Sequence, residues 1–136
     1  MASFQLELVS PDKLLLSRAV EMAVIPAAEG EMGVLAGHAP MIVALRGGVI
    51  SVREGGQVTD QLFVAGGFAE VAPDRVTILA DEATPLASLS KSEAQQRLAE
   101  AEAAFSAAVN ETPERRETAM ARVLSARAMV EAALAA

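Results

Sequence analysis

Apolar and polar residues alternate with a period of two over the first half of the chain, then recur at steps of three and four over the second. Phe4, Leu6 and Leu8 are separated by Gln5 and Glu7, and Val20, Met22 and Val24 flank Glu21. A strand sends successive side chains to opposite faces, so this alternation predicts half-buried strands. Further runs at Met41 to Leu45, Val49 to Arg53, Val58 to Val64, Phe68 to Val71 and Val76 to Ala80 are separated by Gly-Gly, Pro-Asp and Glu-Gly-Gly signals. Many short strands with tight turns predict a sandwich or barrel. Pro73-Asp74 suits a type I turn because proline presets φ, while Gly55-Gly56 and Gly66-Gly67 supply the positive φ that hairpins need.

Near Ser88 the punctuation changes. All nine glycines lie at or before Gly67, and five of the six prolines lie at or before Pro85. Ser90-Lys91-Ser92-Glu93 reads as a capping box, in which the serine accepts from the Glu93 amide and the glutamate reaches back. The helix it opens carries Ala94, Leu98, Ala101, Phe105 and Ala108 along one face. Asn110-Glu111-Thr112-Pro113 is a stop followed by a start, with Thr112 as N-cap, Pro113 at the first helical position and Glu114 near the positive dipole end. Ala119, Val123, Ala126, Val130 and Ala133 then repeat the spacing of the first helix. The expectation is an α+β chain in two parts. Residues 1–85 form a β-sandwich docking domain of about ten short strands. Residues 86–136 form an antiparallel helical hairpin, with helices over about 91–109 and 113–134. An alanine-rich seam lets helices approach closely but buries little area at ~25 cal/mol per Å². Such a hairpin is strongly helical yet weakly attached, and changes position at modest cost.

Composition removes several function classes. With 136 residues, no cysteine and one histidine, the chain has no disulfide, no thiolate metal site and no ordinary zinc constellation. Its net charge of −7 repels phosphate backbones, so no nucleic-acid partner is expected. Aromatics make up 3% of the chain, without Trp or Tyr, which speaks against an aromatic-anchored ligand pocket and for protein partners. No apolar run reaches the roughly 18–20 residues of a membrane span, and Met1 to Ser10 alternates, unlike a secretory signal. No glycine-rich loop ends in Gly-Lys-Ser or Gly-Lys-Thr, so the chain is not expected to hydrolyse ATP alone. His38 lacks a nucleophile elbow, and Glu29 with Glu31, like Asp81 with Glu82, reads as solvated or partner-facing charge. No catalytic, cofactor-binding or metal-binding residue is assigned.

The stretch from Ile25 to Leu45 reads Ile-Pro-Ala-Ala-Glu-Gly-Glu-Met-Gly-Val-Leu-Ala-Gly-His-Ala-Pro-Met-Ile-Val-Ala-Leu. It resembles the signature segment of the bacterial F-type ATP synthase epsilon subunit. Val64-Ala65-Gly66-Gly67-Phe68-Ala69-Glu70-Val71 and Val76-Thr77-Ile78-Leu79-Ala80-Asp81-Glu82-Ala83 resemble the same family in order and spacing. So do the opening Phe4 to Pro11 strand, the Leu45 to Ile50 turn and the alanine-rich tail, so the resemblance covers essentially the whole chain. It implies a non-catalytic central-stalk subunit of a proton-transporting ATP synthase on the cytoplasmic face of the bacterial inner membrane. Its partners would be the gamma subunit and the proteolipid ring, with membrane contact only through the complex. The segment of Glu29, Gly30, Glu31, Gly33, His38 and Pro40 would face them, Glu31 toward a basic ring loop and His38 nearer gamma.

The resemblance also implies a regulatory role for the hairpin. Residues 1–88, 89–112 and 113–136 carry net charges of −6, −2 and +1, so the last helix is the least acidic part. Arg115, Arg116, Arg122 and Arg127 would meet acidic loops of the catalytic alpha/beta subunits and inhibit ATP hydrolysis. Some family members bind ATP through an Ile/Leu-Asp-x-x-Arg-Ala motif at the start of the first helix. Here Leu89-Ser90-Lys91-Ser92-Glu93-Ala94 puts Ser90 for the aspartate and Glu93 for the arginine, reversing the charge that would face phosphate. ATP binding is therefore not expected by that route. The rival reading is a stand-alone β-sandwich module for binding a protein, with the hairpin as a dimerisation arm.

Overall fold

The computed structural model describes residues 2–135. Met1 and Ala136, the outer ends of the two expected domains, lie outside the described residues. Ten strands come first: β1 (Phe4–Val9), β2 (Leu14–Val20), β3 (Met22–Ala27), β4 (Gly30–Leu35) and β5 (Met41–Leu45), then β6 (Gly48–Glu54), β7 (Gln57–Val64), β8 (Gly67–Val71), β9 (Arg75–Ala80) and β10 (Ala83–Pro85). A 3₁₀ turn (Leu86–Ser88) leads to α1 (Lys91–Ala107) and α2 (Pro113–Ala135).

The strands run in the order β10-β7-β6-β3-β5-β8-β9-β1-β2, with β4 branching from β3. The path folds over where β3 meets β5, joined there by the one register pair Ala27 with Leu45. Two layers result, and most strands turn apolar alternate residues inward. Leu6 and Leu8 of β1, Ala23 and Ile25 of β3, Ile50 and Val52 of β6 and Val76 and Ile78 of β9 share one core. β1 lies parallel to β9 (Leu6 beside Val76, Leu8 beside Ile78), so strands from the two ends of the sandwich sequence are joined.

Turn chemistry explains most connections. Gly55 and Gly56 have φ of +60° and +76° and close the β6–β7 hairpin, a conformation that favours glycine. Ala72, Pro73 and Asp74 turn β8 into β9, with the Ala72 amide donating to the Arg75 carbonyl at 2.8 Å. Gly66-Gly67 is different from the expected hairpin. β7 pairs with β6 and β10, whereas β8 pairs with β5 and β9, so these glycines carry the chain between layers. Gly67, at φ +136°, is pressed against the backbone of Leu79 and Ala80, where a β-carbon would overlap the Leu79 carbonyl oxygen.

The edge strand β2 is clamped across to the other layer. Arg18 Nη2 donates to Glu54 Oε2 at 2.8 Å and to Thr59 Oγ1 at 3.0 Å, and also pairs with Asp60. The bond to Asp60 is the main cause that raises the Arg18 pKa, and bonds from Thr59 and then Arg18 hold the Glu54 carboxyl below its usual range. Long charged side chains here cover a sheet edge that would otherwise offer free backbone groups.

Candidate functional site

The helical tail caps one end of the sandwich. Ser90 Oγ accepts from the Glu93 amide at 3.3 Å and starts α1. Among the described residues the return bond from the Glu93 carboxylate is not made, so half of the capping box forms. Thr112 Oγ1 accepts from the Arg115 amide at 3.3 Å and starts α2. Inside the hairpin Ala101, Val123 and Ala126 are buried, with Leu98 and Phe105 packed beside them, as the seam spacing anticipates.

α2 has a second buried face. Met129, Ala132 and Ala133 pack with Ala94 around Phe63 of β7, which is only 1% exposed. Ser125 Oγ donates to the Ala65 carbonyl at 3.0 Å, and Gly47 lies directly under Ser125. Ala94 and Ala133, expected along the hairpin seam, lie instead in the cluster around Phe63, and an alanine-rich helix gives no apolar contrast to tell the two faces apart. On the α1 side, Arg97 forks onto Glu82, Nη1 to Oε1 and Nη2 to Oε2, both at 2.6 Å. That pairing, chiefly through its hydrogen bonds, raises the Arg97 pKa and lowers that of Glu82. Glu82, expected with Asp81 to be solvated or partner-facing charge, is instead held by Arg97 of the same chain. Phe63, Arg97 and Arg18 carry no local signal in the sequence, because their partners lie on other elements.

The segment picked out by its glycines divides between two ends of β4. Ala28 and Glu29 form the β3–β4 turn, and Gly30 and Glu31 open β4, at the end of the sandwich nearer the hairpin. Gly33 lies mid-strand over Met22, whose flexible Sδ-methyl is its nearest neighbour. His38 and Pro40 lie past the other end, on the order of 15 Å away along the strand. There the Gly37 amide donates to the Pro73 carbonyl at 2.7 Å, and His38 Nδ1 lies 2.9 Å from the Ala39 carbonyl. Glu29, Glu31 and Pro40 are exposed and His38 is half-buried. The six residues therefore do not form one cluster.

The four arginines are exposed on α2. At ~100° per residue Arg115 and Arg122 share one stripe, and Arg116 and Arg127 another ~120° away. Arg115 pairs with Glu111 at 3.6 Å, and Arg122 lines the cleft that also holds Arg97.

The outward face of the second layer is apolar where solvent would favour polar residues. Phe68 and Leu79 are cross-strand partners, 58% and 56% exposed, and Ile42 on the next strand is 75% exposed. Glu70 and Thr77 pair beside them. Among the described residues no group of three or more metal-ligating side chains comes together, and no helix is long and apolar enough to cross a membrane.

The chain is thus a β-sandwich with an exposed apolar patch on one outer face and a small-residue helical hairpin seated against the sandwich. Residues 3–86 match the family described as ATP synthase, Delta/Epsilon chain, beta-sandwich domain. The ATP synthase epsilon chain of Granulibacter bethesdensis is 59% identical over 133 residues, covering 98% of this chain and 98% of that protein. That of Gluconacetobacter diazotrophicus is 49% identical, covering 98% and 94%. Among solved structures, a chain of the Euglena gracilis mitochondrial ATP synthase (OSCP/F1/c-ring) superposes with a TM-score of 0.77 at 32% identity, covering 98% of this chain and 82% of that one. A chain of the Tetrahymena thermophila mitochondrial ATP synthase central stalk and c-ring, at TM-score 0.67 and 12% identity, shares the fold. The chain belongs to the ATP synthase epsilon chain family and is a non-catalytic subunit of that complex.

Proposed function

We propose that the chain is a rotor subunit of the central stalk of a proton-transporting ATP synthase, joining gamma to the proteolipid ring so that torque from proton flow reaches the catalytic head. The observation that carries this reading is the apolar face of Ile42, Phe68 and Leu79, which costs solvation in isolation and gains it back under a partner. Support also comes from the Euglena neighbour, whose assembly contains F1 and a c-ring. Gamma covers the apolar face together with the His38–Pro40 end, and the Glu29–Glu31 end reaches a basic loop of the ring. Having these two groups at opposite ends of β4 suits a subunit held between two partners. The complex sits on the cytoplasmic face of the bacterial inner membrane, and the chain touches the membrane only through it.

The hairpin regulates. Extended beside gamma, it presents Arg115, Arg116, Arg122 and Arg127 to acidic loops of the catalytic subunits and blocks rotation in the hydrolysis direction. No nucleotide controls it through the start of α1, where Ser90 and Glu93 replace the residues that would hold phosphate. A pull-down with gamma tests docking; ATP hydrolysis by complexes carrying the full chain or a chain lacking residues 89–136 tests regulation. Retention on gamma, with hydrolysis rising several-fold after truncation, is expected. A full-length chain that ignores gamma would end the docking reading, and unchanged hydrolysis would end the regulatory one.

A further inference from the structure

Very little of α1 touches the sandwich. Only Ala94 and Ala101 of that helix are buried, and Ala101 packs within the hairpin against Val123 and Ala126. Ala94, lying with Phe63, is the apolar link. The other link is the fork from Arg97 to both oxygens of Glu82. Glu82 stands between β9 and β10 on a backbone pinned by the Ala65 amide, which donates to the Glu82 carbonyl at 2.9 Å. A two-point fork restrains angle as well as distance, which a single-point ammonium contact does not.

The surroundings concentrate the load on this pair. Arg97 also lies in the field of Glu93 and Glu100, and Asp81 and Arg122 line the same cleft. Removing or reversing the Arg97 charge therefore leaves an acidic patch across the joint. The apolar seat on α2 is largely alanine, and small side chains bury little area each, so a charge-assisted pair weighs more here than on a well-packed surface.

We infer that Glu82 and Arg97 form an electrostatic latch: closed, it holds the hairpin down on the sandwich; broken, it frees the hairpin to swing away. The inference rests on the hairpin being the mobile regulator described above and names the contact that governs its release. Because both side chains are partly exposed, the latch weakens with salt.

The chain has no cysteine, so Gln57→Cys on the sandwich and Ala103→Cys on the outer side of α1 place two unique nitroxide labels. Their separation in the full-length chain is read by double electron–electron resonance. The labelled parent should give one main distance at low salt. Arg97→Glu and Glu82→Arg should each raise the long-distance fraction about ten-fold, and the exchanged pair should return it to within about two-fold of the parent. Circular dichroism verifies that the helices persist. Unchanged distances in both single variants overturn the latch, as does an exchanged pair that fails to restore the parent. If a variant does not fold, the labelled parent decides: its long-distance fraction should grow between about 0.05 and 1 M salt, and a flat response overturns the latch. Hydrolysis by the assembled complex separates the two readings. Distances that respond while hydrolysis does not leave the latch standing and remove the regulatory role; hydrolysis that rises on truncation while distances ignore Arg97→Glu does the reverse.

Discussion

Gly47 lies so close beneath Ser125 that a β-carbon built on it would stand 2.8 Å from the Ser125 Cα. No rotamer change relieves a clash with backbone, so the approach of α2 to the sandwich depends on that missing side chain. Gly47→Ala should lift α2, break the Ser125 hydroxyl bond to Ala65 and cost ~1–3 kcal/mol of the hairpin's attachment. Faster hydrogen exchange at α2 with unchanged exchange in β1 and β9 is the expected pattern; uniform exchange would contradict it.

Phe63 is the large side chain under the hairpin, surrounded by Ala94, Met129, Ala132 and Ala133. Truncation to alanine leaves a space that three of these four neighbours, all alanines, cannot refill. Phe63→Ala should destabilise by about 3 kcal/mol and increase binding of a hydrophobic dye, because the seat opens. The checks are a urea titration and dye fluorescence.

Gly67→Ala should be more severe than Gly66→Ala. Both have strongly positive φ, but only at Gly67 would the new carbon overlap a strand carbonyl, while at Gly66 its nearest neighbour is the Asp81 carboxylate at 3.2 Å. A loss of ~3 kcal/mol or more is expected for Gly67→Ala, read as a shifted denaturation midpoint or poor soluble yield.

The carboxyls of Glu54 and Glu82 are held below the ordinary value of 4.5. A depressed carboxylate stabilises the fold fully above its unfolded pKa, and that stability is lost as pH falls through the folded value. Melting temperature should therefore hold near neutrality and decline below about pH 4.5. Glu82→Gln should lower the neutral-pH plateau and flatten part of the decline. An equal acid slope in parent and variant would show that the Arg97 pairing is not its source.

Ile42 is 75% exposed in the isolated chain, so its replacement should leave the fold nearly untouched. Ile42→Gln, which sets no like charge opposite its cross-strand partner Glu70, should change stability by less than about 0.5 kcal/mol yet weaken retention on gamma about ten-fold, since an unsatisfied amide would be buried under the proposed contact. Retention at the parental level would move the gamma surface elsewhere.

Local rules read much of this architecture from the residues alone. The alternation in Phe4, Leu6 and Leu8 became an inward-facing strand, Gly55-Gly56 became a hairpin turn, and Ser90 and Thr112 became helix starts, because each depends on neighbours a few positions away. Gly66-Gly67 misled for the same reason. Two glycines between strands look alike whether the strands pair or part, and only pairing across the layers distinguishes the cases. The candidate docking segment is continuous in sequence, but β4 carries Glu29 to Glu31 and His38 to Pro40 to opposite ends.

Composition, periodicity and caps thus determined the class of the chain: a cysteine-free, acidic sheet module followed by two alanine-rich helices. Tertiary structure alone decided that Arg18 clamps Glu54 and Asp60, that Arg97 forks onto Glu82, and that Phe63 lies beneath α2 instead of within the sandwich core. Periodicity says how far a residue is turned from its neighbour along one element. It carries no record of which element, tens of residues away, will lie against that face.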